Sequence, residues 1–146
     1  MRQIVPQLLW LGNARDARDA SRLLDSGIAA LVDLAVEELP ARLPREVAYC
    51  RFPLMDGAGN PPGLLGSAVF ATACLVRQQV PTLVCCGSGM SRSPAVVAVA
   101  LALVRGDTPE ESLRQVVAGC PHDVSPLLWS DLMTVYRQRP EPELPI

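Results

Sequence analysis

The residues Leu83 to Pro94 have the types and spacing that could carry chemistry. An apolar run ends at Cys86, five residues dominated by Gly and Ser follow, and Arg92 comes next. The first run predicts a buried strand, and the apolar residues from Ser91 to Val104 predict a buried helix. Small residues between them let backbone amides converge on one point, to which the helix N-terminus adds its positive end. The stretch therefore predicts a binding loop for a tetrahedral anion.

Cys86 and Arg92 would act together on such an anion. A thiol at a helix N-terminus and beside a cation loses its proton readily, so Cys86 is predicted to be a nucleophile. The planar guanidinium of Arg92 can bind two phosphate oxygens at once, which lysine cannot do. Ser93 follows directly, and its hydroxyl can hydrogen-bond the thiolate or simply begin the helix. Transfer of a phosphoryl group to sulfur fits this set. An inert core thiol with a surface arginine would not need the small residues between them.

Phosphoryl transfer to sulfur also needs a proton for the leaving oxygen. Asp56 is the candidate, because it lies in a Gly- and Pro-rich segment, residues 55–62, that predicts a flexible loop just after a strand. The same carboxylate could then activate water. The alternative is a turn-forming Asp in an Asp-Gly pair. Asp33, Asp107 and Asp123 are rivals, expected at a strand end, a helix start and a loop.

The remaining pattern places this stretch in an α/β domain, because predicted strands alternate with predicted helices. Strands are predicted at residues 8–11, 28–35, 47–53 and 82–85. Helices are predicted at residues 15–26, 64–79, 91–104 and about 126–138, with another beginning after a capping box at Thr108 and a turn or short helix at 37–43. With 146 residues, the chain is predicted to form a single domain, 1–146, with a Pro-rich tail from about residue 140.

Composition restricts the partners. The net charge is −2, so no broad basic field is expected to attract nucleic acid or an anionic membrane. The five cysteines are an odd number without framework-like spacing, and no secretory signal is evident. The longest apolar run, from Pro94 to Val104, is shorter than the roughly 18 residues of a membrane span. Reduced thiols and a cytoplasmic location are therefore predicted, whereas the oligomeric state is not indicated.

Cys86 to Ser93 resembles the signature loop of the protein tyrosine phosphatase superfamily, Cys-x5-Arg-[Ser/Thr]. More narrowly, the chain is similar to a dual-specificity phosphatase domain, since residues 8–13, 27–35 and 52–56 resemble other segments of that family. The resemblance implies a central mixed sheet of four or five strands flanked by helices. It also implies a cysteinyl-phosphate intermediate, no metal or cofactor, and Asp56 as general acid. The implied phosphate-binding residues are Gly87, Ser88, Gly89, Met90, Ser91 and Arg92.

One position departs from the family pattern. The family usually has His immediately before the nucleophile, and this chain has Cys85. That His supports the loop by hydrogen bonding, which cysteine does poorly, so we expect slower chemistry. A disulfide between Cys85 and Cys86 is disfavoured because adjacent cysteines bridge only with strain.

The expected substrate is a phosphorylated protein or a small phosphomonoester. Residues 87–91 contain no Lys, Arg or His, which favours a monophosphate and, first, phosphotyrosine. A shallow pocket would also admit phosphoserine and phosphothreonine. Two alternatives are a weak or inactive relative that binds phosphate esters, and another thiolate enzyme such as a sulfurtransferase or an arsenate reductase. The single histidine, His122, is predicted to be a loop residue, and the absence of a CxxC pair argues against a zinc site.

Overall fold

A five-stranded mixed sheet forms the centre of the computed structural model, which describes residues 1–139. The tail predicted from about residue 140 lies outside the described residues. The strands, in chain order, are β1 (Arg2–Val5), β2 (Leu9–Asn13), β3 (Ala30–Ala35), β4 (Ala48–Leu54) and β5 (Thr82–Cys86). Their order in the sheet is β1-β2-β5-β3-β4, with β1 antiparallel to β2 and the other pairs parallel. The predicted mixed α/β sheet is confirmed.

Within residues 1–139, six helices accompany the sheet: α1 (Ala14–Ala17), α2 (Ala20–Asp25), α3 (Pro62–Arg77), α4 (Arg92–Arg105), α5 (Pro109–Val117) and α6 (Pro126–Gln138). The apolar helix α4 is buried from Arg92 to Ala102 and packs with α3, α5 and α6. It begins six residues after Cys86, the last residue of β5, and β5 is entirely buried. Because β2, β5, β3 and β4 run parallel, their carboxyl ends meet at one edge of the sheet, which is where ligands bind in such folds.

Two apolar clusters cover the sheet. The larger contains Cys86 together with residues of α3, α4 and α6, and the smaller contains Cys85 together with Trp10 and Leu23. Successive side chains of a strand point to opposite faces, so the two adjacent cysteines lie in different clusters.

Several local predictions need adjustment. The predicted helix at residues 15–26 is two helices, because the side chain of Asp19 accepts a hydrogen bond from Arg22 N (3.0 Å) and caps a second start. Strand β1 was not predicted. It lies at the edge of the sheet and is only partly buried, so its sequence lacks the apolar run of a central strand. Residues 37–43, predicted as a turn or short helix, form a turn followed by irregular chain. The capping box at Thr108 is confirmed. Within residues 1–139, no helix is long and apolar enough to cross a membrane.

Candidate active site

The loop from Cys86 to Arg92 connects β5 to α4 and turns sharply at Gly89, whose φ is +77°. A Cβ at this position would lie 2.8 Å from the backbone oxygen of Gly12, so only glycine fits. Two loop carbonyls are tied to neighbouring segments. Gly87 O accepts a hydrogen bond from Ala14 N (3.2 Å), and Met90 O accepts one from Asp123 N (2.9 Å). Because these two carbonyls form hydrogen bonds with segments outside the loop, the backbone amides of the loop can point towards its interior and bind an anion there.

Cys86 lies at the base of this loop and is 1% exposed. Its Sγ accepts a hydrogen bond from Gly89 N (3.3 Å) and lies 3.3 Å from Oγ of the fully buried Ser93. A backbone amide and a hydroxyl both directed at one sulfur stabilise a negative charge on it. The predicted Cys86–Ser93 pair is therefore brought together.

Arg92, at the first position of α4, is 4% exposed and points into the protein rather than to solvent. Its Nη1 donates to Leu54 O (2.8 Å) and to Glu37 Oε2 (2.6 Å), and its Nη2 donates to Glu37 Oε1. This pairing raises the pKa of Arg92 and lowers the pKa of Glu37, in each case chiefly through the hydrogen bonds between them. Both groups are therefore charged at neutral pH.

The hydrogen bonds of Arg92 leave one edge of its guanidinium available. A guanidinium has five N–H donors, and these contacts use both on Nη1 and one on Nη2. The two that remain are on Nε and Nη2, which are parallel and form the side edge of the fork. Nε is buried with no partner among residues 1–139. Because Nη2 lies 3.4 Å from a Cβ built on Gly87, this edge adjoins the loop and suits a bidentate oxyanion.

Glu37 was not identified from the sequence. It follows the carboxyl end of β3, a neighbour of β5 in the sheet, and that placement is the signal that could have revealed it. Its carboxylate reaches the start of the loop, since a Cβ on Gly87 would lie 2.6 Å from Glu37 Oε1. The site thus includes an acidic residue that fixes Arg92.

Asp56 is exposed and lies beside the loop. Its Oδ1 accepts a hydrogen bond from Ser91 Oγ (2.5 Å), and Ser91 Oγ in turn accepts one from Ser125 N (3.0 Å). The side chain of Ser91 therefore links the loop, the Asp56 segment and the start of α6. The sequence predicted a cradle role for the backbone of Ser91 but gave no sign of this link.

Asn60 fastens the Asp56 segment, which the sequence predicted to be flexible. This buried side chain accepts from Met55 N (2.7 Å) and donates to Met55 O (2.9 Å) and Gly57 O (3.2 Å). An asparagine can satisfy several backbone groups in this way and close a turn. Asp56 is thus carried by a closed turn, and Asn60 is a second residue that sequence analysis missed.

Cys85 occupies the other face of β5. It is buried against Asp33, its register partner on β3, and burial together with that carboxylate raises the pKa of its thiol. Asp33 is itself buried, and its Oδ2 accepts a hydrogen bond from Tyr49 Oη (2.6 Å). Cys85 and Cys86 are both free thiols. Cys85 is therefore a neutral side chain on the face of the sheet opposite to Cys86. Asp33 forms its hydrogen bond with a neighbouring strand and not with the loop.

The other ionisable candidates lie elsewhere. His122 is exposed, with its Nδ1 3.3 Å from Cys120 O. Asp107 precedes the capping box of α5, and Asp123 meets the loop through its backbone N–H. In the part of the chain that the structure describes, no three His, Cys, Asp or Glu side chains cluster as metal ligands would.

Solved structures of known proteins resemble the fold of this chain. Human DUSP28 is 27% identical, with a TM-score of 0.81, over 94% of this chain and 96% of that one. A mouse protein described as a dual specificity phosphatase, solved with zinc tungstate, is 28% identical, with a TM-score of 0.80, over 92% and 85%. The human tyrosine phosphatase-like serine/threonine/tyrosine-interacting protein is 19% identical, with a TM-score of 0.76 over 92% and 93%, and shares the fold.

No protein-family model and no curated protein sequence matches the chain, so its structure carries the relationship. The shared fold extends over more than nine-tenths of the chain. The chain is therefore similar in structure to the dual-specificity phosphatases, which are cysteine-dependent protein phosphatases of the protein tyrosine phosphatase superfamily.

Proposed function

We propose that this phosphatase is a metal-independent phosphomonoester hydrolase that works through a cysteinyl-phosphate on Cys86. The observation that carries the proposal is that the Cys86 sulfur and the edge of Arg92 that has no protein partner within residues 1–139 both adjoin one loop. A thiolate beside a bidentate cation is suited to attack a bound phosphate ester. The mouse relative solved with tungstate supports the proposal, because tungstate is a tetrahedral oxyanion like phosphate.

The reaction has two steps. In the first, the Cys86 thiolate forms a bond to phosphorus, the ester P–O bond breaks, and Asp56 gives its proton to the leaving oxygen. In the second, the Asp56 carboxylate takes a proton from water, the water oxygen bonds to phosphorus, and the S–P bond breaks. Ser93 stabilises the departing thiolate from 3.3 Å. The amides of Gly87, Ser88, Gly89, Met90 and Ser91, with Arg92, bind the phosphoryl oxygens in both steps.

The preferred substrate is a phosphotyrosine residue. The loop residues 87–91 carry no basic side chain that could bind a second phosphate. Met55 and Met90 are both exposed at the edges of the Asp56 segment and of the loop, and they offer apolar surface to an aromatic ring. Phosphoserine and phosphothreonine proteins and small phosphomonoesters are further substrates of a shallow site.

Hydrolysis of para-nitrophenyl phosphate in the presence of a metal chelator tests this function. We expect turnover by the reduced native protein, complete loss in Cys86→Ser, and a fall of about 100-fold in Asp56→Asn. Phosphate that remains covalently bound to Cys86 after rapid quenching would provide direct evidence of the cysteinyl-phosphate intermediate. Activity that survives in Cys86→Ser would contradict the proposal.

Ser93→Ala separates the two steps. Loss of the hydroxyl should slow release of phosphate from sulfur more than its transfer to sulfur, so a burst of phenolate should become visible before a slower steady state. Ser112→Ala is the matched control, because Ser112 is also fully buried but its hydroxyl has no partner within residues 1–139. An equal effect of both changes would argue against the assigned role of Ser93.

A second candidate function is phosphate-ester binding without turnover, which the thiol at Cys85 favours. The relative solved with tungstate does not separate the two, because binding an oxyanion is common to both. Stoichiometric tungstate binding by a reduced protein that shows no turnover across about pH 5 to 8 would establish this second function.

A further inference from the structure

We propose that Glu37 is a specificity-determining residue, which makes the enzyme discriminate against phosphotyrosine flanked by acidic residues. The substrate class that follows is phosphotyrosine with neutral or basic neighbours. This inference rests on the proposed function, since it concerns the same loop.

The first argument is that Glu37 is fixed at the loop. Both of its carboxylate oxygens are bound by Arg92, and Oε1 lies close against Gly87. The chain on either side of Glu37 is also fastened. Arg51 Nη2 donates to Ala35 O (3.3 Å) and Glu38 O (2.9 Å). The carboxylate is therefore a permanent feature of the site's edge.

The second argument is that Glu37 and a phosphate bind different edges of Arg92. Glu37 uses Nη1 and one hydrogen of Nη2, whereas the side edge of Nε and Nη2 has no protein partner among residues 1–139. A bound phosphate therefore does not need to displace Glu37. The carboxylate is half exposed, so it remains beside the bound substrate, where it faces the groups that flank the phosphate.

The third argument is the charge balance of the site's edge. Arg92 contributes +1 and Glu37 contributes −1, so the pair carries 1 − 1 = 0 and offers no net positive charge to a group beside the phosphate. Two further arginines approach this segment, but both are paired with carboxylates of the protein. Arg18 lies 3.3 Å from Glu38, and Arg51 lies 3.5 Å from Asp33. The phosphate is attracted by converging amides at short range, but a carboxylate that flanks it approaches the half-exposed carboxylate of Glu37 rather than an unpaired cation.

The test compares kcat/KM between two sets of phosphotyrosine peptides. One set has alanine at all flanking positions, and the other has glutamate at one flanking position at a time. Charges of like sign near a protein surface should lower kcat/KM by about threefold to tenfold at the position closest to Glu37. The penalty should weaken between about 0.05 M and 0.5 M salt, because the Debye length falls from about 14 Å to about 4 Å.

Glu37→Gln should reduce this acidic-to-neutral penalty to about twofold or less, together with its salt dependence. The ratio is the informative quantity, because any general loss of activity in the variant affects both peptides equally. The matched control is Glu46→Gln, since Glu46 is exposed and precedes β4 at the opposite end of the parallel strands.

The possible failures are distinct. A native protein that does not hydrolyse any phosphotyrosine peptide or para-nitrophenyl phosphate contradicts the proposed function. A native protein that hydrolyses acidic and neutral peptides equally contradicts the role of Glu37. So does a penalty that is the same in Glu37→Gln as in the native protein, or one that Glu46→Gln removes equally well.

Discussion

Glu37 binds the end of the Arg92 guanidinium through both carboxylate oxygens, while Leu54 O accepts a further hydrogen bond from Nη1. Burying an arginine costs side-chain conformational entropy and the free energy of desolvating its charge. The hydrogen bonds to Glu37 and Leu54, called the clamp below, hold one conformation and offset part of the desolvation cost. It also selects the edge of the guanidinium that an oxyanion can reach. The pair therefore contributes to the stability of the loop as well as to its chemistry.

Glu37→Gln should lower the free energy of unfolding at pH 7 by about 1 kcal/mol, after allowance for solvent screening of a half-exposed carboxylate. Arg92 holds the pKa of Glu37 below its ordinary value of 4.5. A carboxyl group with a lowered folded-state pKa stabilises the protein above its unfolded-state pKa, and the contribution disappears as the pH falls through the folded-state pKa. The difference between native protein and variant should be constant above about pH 5.5 and shrink below 4.5.

Urea denaturation of both proteins at a series of pH values measures this difference. Glu46→Gln provides the control, because Glu46 pairs with the exposed Arg45 at 3.4 Å and a surface pair contributes little. A Glu37→Gln variant as stable as the native protein at pH 7 would contradict the clamp.

Gly89→Ala should abolish turnover and tungstate binding. Its φ of +77° is unfavourable for alanine, and the new Cβ would lie 2.8 Å from Gly12 O, so the loop must move away from β2. Gly106→Ala separates these two causes. Gly106 has φ of +80° at the end of α4, but a Cβ there meets nothing within 4 Å. It should cost about 1 kcal/mol of stability and leave kcat/KM unchanged. Equal activities of the two variants would be inconsistent with a loop built on Gly89.

Asn60→Ala should impair proton donation to the leaving group. Without its three hydrogen bonds to Met55 and Gly57, the turn that carries Asp56 loses its closure. Poor leaving groups depend most on the general acid, so kcat for phenyl phosphate should fall about tenfold, and more than kcat for para-nitrophenyl phosphate. The Asp56→Asn protein should lose little further when Asn60→Ala is added. Additive losses would show that Asn60 acts independently of Asp56.

Iodoacetate should distinguish the two adjacent thiols, which are equally buried at 1% exposure. Burial and Asp33 raise the pKa of Cys85, so it should stay unmodified at pH 7, whereas the amides proposed to bind phosphate should direct the anionic reagent to Cys86. Peptide mass spectrometry locates the label, and exposed Cys74 is an internal reference. Tungstate should protect Cys86 but not Cys74. Labelling of Cys85 at a comparable rate would mean that it is not sealed behind the strand.

The sequence by itself determined the strand, loop and helix that contain Cys86, Arg92 and Ser93. An apolar run, a group of small residues and a second apolar run are local signals, which are sufficient to predict the conformation of a single segment and to propose its anion-binding chemistry. Asp56 could be proposed for the same reason, since Gly and Pro mark its turn. The capping box at Thr108 was equally readable, because it depends on residues three apart.

Only the tertiary structure decided which distant groups complete the site. Glu37 is 55 residues from Arg92 in the chain, and Ser91 is 35 from Asp56, so no local pattern could join them. They meet because β3, β4 and β5 are parallel and end at one edge of the sheet, where the segments that follow each strand come together. Asn60 illustrates the same limit at short range, because its role depends on a burial that its loop-like sequence does not indicate. Side-chain placement across strands depends on register and packing, which are properties of the assembled sheet.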